Sequence, residues 1–170
     1  MFQKILVAMD NSEMGTHVFE KALSVGESLN ASLMLLHVLS PEAEDSPGFP
    51  GSPMLDYYPW TLEDVNVHYR QQWDEFESEC LELLRSRTEK AHGAGVNARF
   101  AQIPGSPGEA ICTFALNWDA DLIVIGHRGL SGLSELILGS ISNYVVHHAL
   151  CSVLTVRFPV EKLDKIPQPR

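Results

Sequence analysis

The sequence predicts an α/β protein whose parallel sheet is covered by helices on both faces. Three observations carry that prediction. Short aliphatic runs at residues 4–9, 32–38 and 121–125 lack the polar alternation of a half-exposed strand, as strands buried on both faces do. Between such runs lie segments whose apolar residues recur at helical spacing. Their alternation along the chain requires crossover connections, which are right-handed and set the strands parallel.

The first strand, residues 4–9, ends at Asp10-Asn11-Ser12, three good N-cap residues, and Glu13 opens a helix. Met14, Val18, Ala22, Val25 and Leu29 form one face of that helix and Asn30 closes it. Residues 32–38 are a second buried strand, in which His37 reads as a satisfied core histidine. Composition then changes: Pro41, Pro47, Pro50, Pro53 and Pro59 accompany Glu42, Glu44, Asp45, Gly48 and Gly51, with no periodicity. Residues 41–59 are therefore expected to be a mobile insertion. Its aromatics Phe49, Tyr57 and Tyr58, with Trp60 just beyond, are expected to pack the end of this loop onto the fold, with cover for a ligand or partner as the alternative.

A long helix is expected over 61–92, with Val65, His68, Tyr69, Trp73, Phe76, Cys80, Leu83 and Leu84 on its apolar side and Gly93-Ala94-Gly95 as its C-cap. Residues 96–103 alternate and read as a strand at a sheet edge. Ser106 is placed to cap the next helix, with Pro107 at its first position and Ile111, Phe114, Ala115 and Trp118 on its apolar side. After the strand at 121–125 comes a glycine-punctuated stretch, then an amphipathic helix from about residue 141 and a last strand at 152–157. The core domain is placed at 1–158, and 159–170, with Pro159, Pro167 and Pro169, is expected to be a flexible tail.

Bulk properties bound the function. With 22 acidic against 12 basic residues the net charge is −10, the wrong sign for unspecific attraction to nucleic acid or anionic membrane. Residues 1–10 hold too short an apolar run for a signal peptide, and no stretch approaches the roughly 18–20 apolar residues of a membrane span. Cys80, Cys112 and Cys151 fit neither a disulfide framework nor a zinc pattern, so a cytoplasmic location is expected.

The strand at 121–125 is followed by Gly126-His127-Arg128-Gly129, nine residues, then Gly139-Ser140. A strand, a glycine-rich loop and a helix start bring unpaired backbone N–H groups and the positive end of a helix dipole to one place, which suits a phosphate. Glycines there permit positive φ and close approach of an anion. No Gly-x4-Gly-Lys-[Ser/Thr] P-loop occurs, and no Gly-x-Gly-x-x-Gly follows the first strand, which counts against NAD or FAD. Arg128 is equally compatible with a phosphate contact and with solvation, whereas His127 reads as a loop side chain rather than a base. Adjacent His147 and His148 point apart on a helix and do not suit a shared metal, and Cys151 reads as a small packing residue.

Taken together, Ile5-Leu6-Val7-Ala8-Met9-Asp10, Leu35-Leu36-His37-Val38, Gly126-x2-Gly129-x9-Gly139-Ser140 with Asn143, and Val153-Leu154-Thr155-Val156 resemble the universal stress protein family, in its nucleotide-binding branch. The resemblance implies a five-stranded Rossmann-like sheet of order 3-2-1-4-5, similar to the adenine nucleotide alpha hydrolases. It also implies ATP or another adenine nucleotide at the reversal of strand order, with Mg²⁺ on its phosphates. Residue by residue, Asp10 would meet the ribose or base, the Val38 backbone the adenine, and Ala8 and Ile125 would line the pocket. Gly126, Gly129, Gly139, Ser140, Ile141 and Ser142 would surround the ribose and phosphates, the Ser140 and Ser142 hydroxyls acting as donors, with Ser140 also helping to orient the metal; Arg128, within the same loop, is the candidate side-chain contact noted above. A homodimer through the strand from Ser152 to Arg157 is implied as well. Ser152 stands where the family often has proline, which departs from the pattern.

Hydrolysis of ATP needs a base or a positioned water and compensation for charge on the transferred group. The chain offers no convincing base, so the reading is a dimeric sensor or regulator that holds an adenine nucleotide. The alternatives are a slow Mg²⁺-dependent ATPase using Asp10 or His127, and an interaction module with a structural nucleotide.

Overall fold

The computed structural model describes residues 1–43, 46–48, 62–127 and 139–157. Among these the order is β1 (Lys4–Met9), α1 (Glu13–Leu29), β2 (Ser32–Leu39), α2 (Leu62–Gly93), β3 (Ala98–Pro104), α3 (Pro107–Asn117), β4 (Leu122–Gly126), α4 (Ser140–His148) and β5 (Ser152–Val156). All strand pairs are parallel, and the sheet runs β3-β2-β1-β4-β5 as expected.

Alternation along the central strands builds two cores. Ile5, Val7, Leu33, Leu35, Leu122 and Val124 face Val18 and Phe19 of α1 and Leu84 of α2. Leu6, Met34, Leu36, Ile123 and Ile125 face Ile111 and Ala115 of α3 and Val145 of α4. Both sides of β1, β2 and β4 are covered, which is why their sequences carry almost no polar residue. Each fully buried aliphatic side chain contributes roughly 1.5–3 kcal/mol relative to exposure.

Helix ends follow local chemistry where the chain supplies it. The Ser12 hydroxyl accepts from Gly15 N at 3.1 Å, and Asn30 adopts the left-handed conformation at φ 52°. Gly95, at φ +80°, reverses the chain after α2 while Val96 N donates back to Ala91 O at 2.9 Å, so β3 begins at Ala98 rather than at 96. Asp121 precedes β4 instead of starting it, because its carboxylate accepts from Gln3 N at 2.8 Å and Lys4 N at 3.3 Å, clamping the entry of β1.

Some expectations change. Pro107 takes the first turn of α3, but Ser106 caps it with its carbonyl, which accepts from Ala110 N at 2.9 Å, and not with its hydroxyl. His68 is exposed rather than on the apolar side of α2, whereas Thr88 and Ala91 are buried there. Thr88 hides its hydroxyl by donating to Leu84 O at 2.8 Å. That half of α2 lies on α1: Arg87 donates to Thr16 Oγ1 at 3.0 Å and sits 5.4 Å over the Phe19 ring, and Lys90 pairs with Glu20. Most of the insertion, its aromatics included, and all of the tail at 159–170 lie outside the described residues.

Candidate functional site

The sheet is split at its carboxyl edge. β1 and β4 pair only from Ile5↔Leu122 to Val7↔Val124, although β1 continues to Met9 and β4 to Gly126. Meanwhile β1 stays with β2 as far as Met9↔His37, and β4 with β5 as far as Gly126↔Val156. The two halves therefore diverge where the strand order reverses, the place where open α/β sheets form a crevice. Ala8 and Asp10 stand on one lip, with Ile125, Gly126 and His127 on the other. β2 also runs beside β3 to Leu39↔Pro104, so Val38 lies one residue beyond the last β1–β2 pair.

On the first lip, Asp10 is held by the start of α1. Its Oδ1 accepts from Ser12 N at 3.0 Å and from the Ser12 hydroxyl, whose oxygen accepts in turn from Gly15 N. The helix comes so close that a Cβ at Gly15 would lie 2.2 Å from Asp10 O and 2.6 Å from its Oδ1. Sequence reasoning missed Gly15. Its signal was a glycine in the first turns of a helix, which is unfavourable by about 1 kcal/mol against alanine and asks for a packing reason.

On the second lip, Gly126 does something other than turn the chain. The glycines at positive φ among the described residues are Gly95 and Gly105. A Cβ at Gly126 would lie 2.6 Å from Met14 Cγ and 3.2 Å from Val18 Cγ2, so glycine there admits α1 against the end of β4. Gly139, the N-cap of α4, is extended at φ −58°. The first bond of α4 runs from Asn143 N to Gly139 O at 2.8 Å. The N–H groups of Ser140, Ile141 and Ser142 consequently have no acceptor within the helix, and the helix dipole adds to them.

Ser140 and Ile141 are exposed, whereas Ser142 is buried and its hydroxyl donates to Gly139 O at 3.0 Å. The Ser142 proton is thus committed to the first turn of the helix. Arg128 and Gly129 lie outside the described residues.

His127 follows the end of β4, as a loop residue, but it is buried. It is 6% exposed, its N–H extends the pairing of β4 by donating to Val156 O at 2.7 Å, and its Nε2 is buried with no hydrogen-bond partner among the described residues. Leaving such a group unpaired is unfavourable by about 1–3 kcal/mol.

Other titratable groups have structural surroundings. His37 lies 3.3 Å through Nδ1 from Gln102 Nε2 and edge-on to Phe76 at 5.9 Å, satisfied in the core as expected. His148 stacks on Tyr144 at 3.9 Å, and its Nδ1 meets Tyr144 O at 2.8 Å. Burial raises the pKa of the Cys112 thiol, and Cys151 nearby adds to the rise; burial and then Asp121 raise that of Cys151. Among the described residues no three His, Cys, Asp or Glu side chains gather to hold a metal, and no helix is long and apolar enough to cross a membrane.

An open parallel sheet of order β3-β2-β1-β4-β5, covered on both faces and split at its reversal point, defines an α/β protein of the Rossmann-like class. Within that class the chain belongs to the universal stress protein family, which it matches over residues 1–157. It is 36% identical over 159 residues to universal stress protein Sll1388 of Synechocystis, covering 92% of this chain and 98% of that one. The structure is similar to universal stress protein UspA from Lactobacillus plantarum, with a TM-score of 0.70, 25% identity and coverage of 92% and 98% of the two chains. Two further universal stress proteins share the fold at 20% identity. One, in complex with cAMP, has a TM-score of 0.62 and covers 92% of this chain and 97% of that one. The other, from Archaeoglobus fulgidus in complex with dAMP, has a TM-score of 0.57 and covers 91% and 97%.

Proposed function

We propose that the crevice between β1 and β4 binds an adenine nucleotide, ATP or a close relative, and holds it without efficient turnover. The observation that supports this reading is the early end of β1–β4 pairing, which opens the sheet beside Asp10 where the strand order reverses; the start of α4 adds the N–H groups of Ser140, Ile141 and Ser142, which have no acceptor within the helix. Ala8, Ile125 and Gly126 line the gap, the Val38 backbone takes the base, and Asp10 accepts from ribose hydroxyls. Arg128, Gly129 and Gly139 complete the phosphate side, and Mg²⁺ on the phosphates is oriented by the exposed Ser140 hydroxyl. The cAMP and dAMP complexes of two proteins with this fold support the ligand class.

Holding is favoured over hydrolysis because the Asp10 carboxylate already accepts two hydrogen bonds from Ser12, an arrangement that fixes it as an acceptor for ligand hydroxyls. Binding without preference for a transition state does not accelerate chemistry. In this reading the protein is a homodimer joined through the strand from Ser152 to Arg157, and nucleotide occupancy changes what the dimer presents to partners.

The test is mass spectrometry of the small molecules released when the purified protein is denatured, paired with a thermal shift on adding ATP and Mg²⁺. An adenine nucleotide in the supernatant, or a rise in melting temperature, is the expected result. Neither appearing would refute the site. A Mg²⁺-dependent single-turnover hydrolysis abolished by Asp10→Ala would replace holding with catalysis.

A further inference from the structure

Alternation along β4 directs Val124 toward α1 and α2 and Ile125 toward α3 and α4, while a Cβ at Gly126 would again meet α1. His127 continues this extended pairing through its bond to Val156 O. Its side chain therefore falls on the face of Ile125, the face covered by Val145 of α4. Ser142, three residues earlier on α4, is buried as well.

A ring in that position, 6% exposed and with Nε2 unpartnered among the described residues, is an unfavourable choice for packing alone. At the start of α4, Gly139 O already receives Asn143 N and the Ser142 hydroxyl. What α4 does present is a set of N–H donors that attract an anion. An anion held by those donors would supply oxygens that a neutral imidazole carrying its proton on Nε2 can reach as a donor.

We propose that His127 is a specificity-determining residue of this site, donating Nε2–H to an oxygen of the phosphate group held at the start of α4. It makes the crevice selective for nucleoside phosphates over nucleosides, and it rests on the nucleotide-binding reading above. His127 thus adds a buried side-chain donor to the backbone N–H groups at the start of α4.

Calorimetric titration of the full chain with AMP, ATP and adenosine tests this in the wild type, His127→Leu and His127→Gln. We expect His127→Leu to weaken AMP and ATP binding about tenfold, the value of one such hydrogen bond, and to leave adenosine binding unchanged. His127→Gln, whose amide also donates, should recover part of the loss. Equal AMP affinity in wild type and His127→Leu overturns the role of His127 while nucleotide binding stands. A wild type that binds none of the three ligands overturns both readings. Because position 127 is buried, the unmodified protein with ¹⁵N-labelled histidine supplies a second measurement. Saturation with AMP should move the His127 Nε2 resonance and slow exchange of its proton, and an unmoved resonance overturns the proposal.

Discussion

A methyl group at position 126 would press on Met14 Cγ at 2.6 Å, so a single hydrogen atom decides how closely α1 seats against the end of β4. Gly126→Ala should destabilise the fold by about 1–3 kcal/mol, the usual range for overpacking. In Met14→Ala the clash is gone, so the double variant should lose less than the sum of the two single changes by on the order of 1 kcal/mol. Denaturant unfolding of the four proteins measures that coupling, and strict additivity would show that Gly126 serves another purpose. Residue chemistry was legible here, but its partner was not. The sequence marked Gly126 as special, but its closeness to Met14 was not legible, because a contact with a residue 112 positions earlier in the chain leaves no local pattern.

At the scale of elements, the caps that lie within four residues of their partners were readable: Ser12 and Asn30 bound α1 as expected. Ser106 was not, because its hydroxyl and its carbonyl both suit a helix start and only the path of the preceding loop selects between them. Cys112 of α3 and Cys151, just before β5, pack partly buried against the same core as Trp118 and Val153. Burial raises both thiol pKa values above the ordinary thiol value, with Cys151 and Asp121 as the respective second causes. The folded state then keeps protons that the unfolded state gives up, so these thiols lower stability as pH rises through and above about 9. Below that pH both states are protonated and the contribution is absent. We expect iodoacetamide to alkylate Cys112 and Cys151 more slowly at pH 8 in the folded protein than after denaturation. Equal rates would contradict the packing described.

For the whole molecule, the two sheet edges differ. β3 is flanked by α2, whereas β5 ends the sheet with Leu154 39% exposed; Leu150 just before it and Val146 at the end of α4 are 84% and 41% exposed. A parallel edge with exposed aliphatics is a ready template for pairing. The proposed homodimer places a second copy there. Light scattering of a Leu150→Glu, Leu154→Glu variant should then report a monomer from a dimeric parent. A monomeric parent, or a dimer that survives both charges, would remove β5 from the interface. Val156 is unsuited to this test, since it lies in the core shared with α1.

What the amino-acid order determined by itself was the alternation of buried runs with amphipathic segments, the caps of α1 and the run of residues that could face a phosphate. These are short-range properties, set by side-chain periodicity and by backbone groups a few residues apart. Tertiary structure alone decided that β1 and β4 part after Val7 and Val124, that Gly15 must be bare beneath Asp10, and that His127 is enclosed with a nitrogen unpaired among the described residues. Those outcomes depend on contacts between strands and helices far apart in the chain, whose distances follow from how the two cores pack.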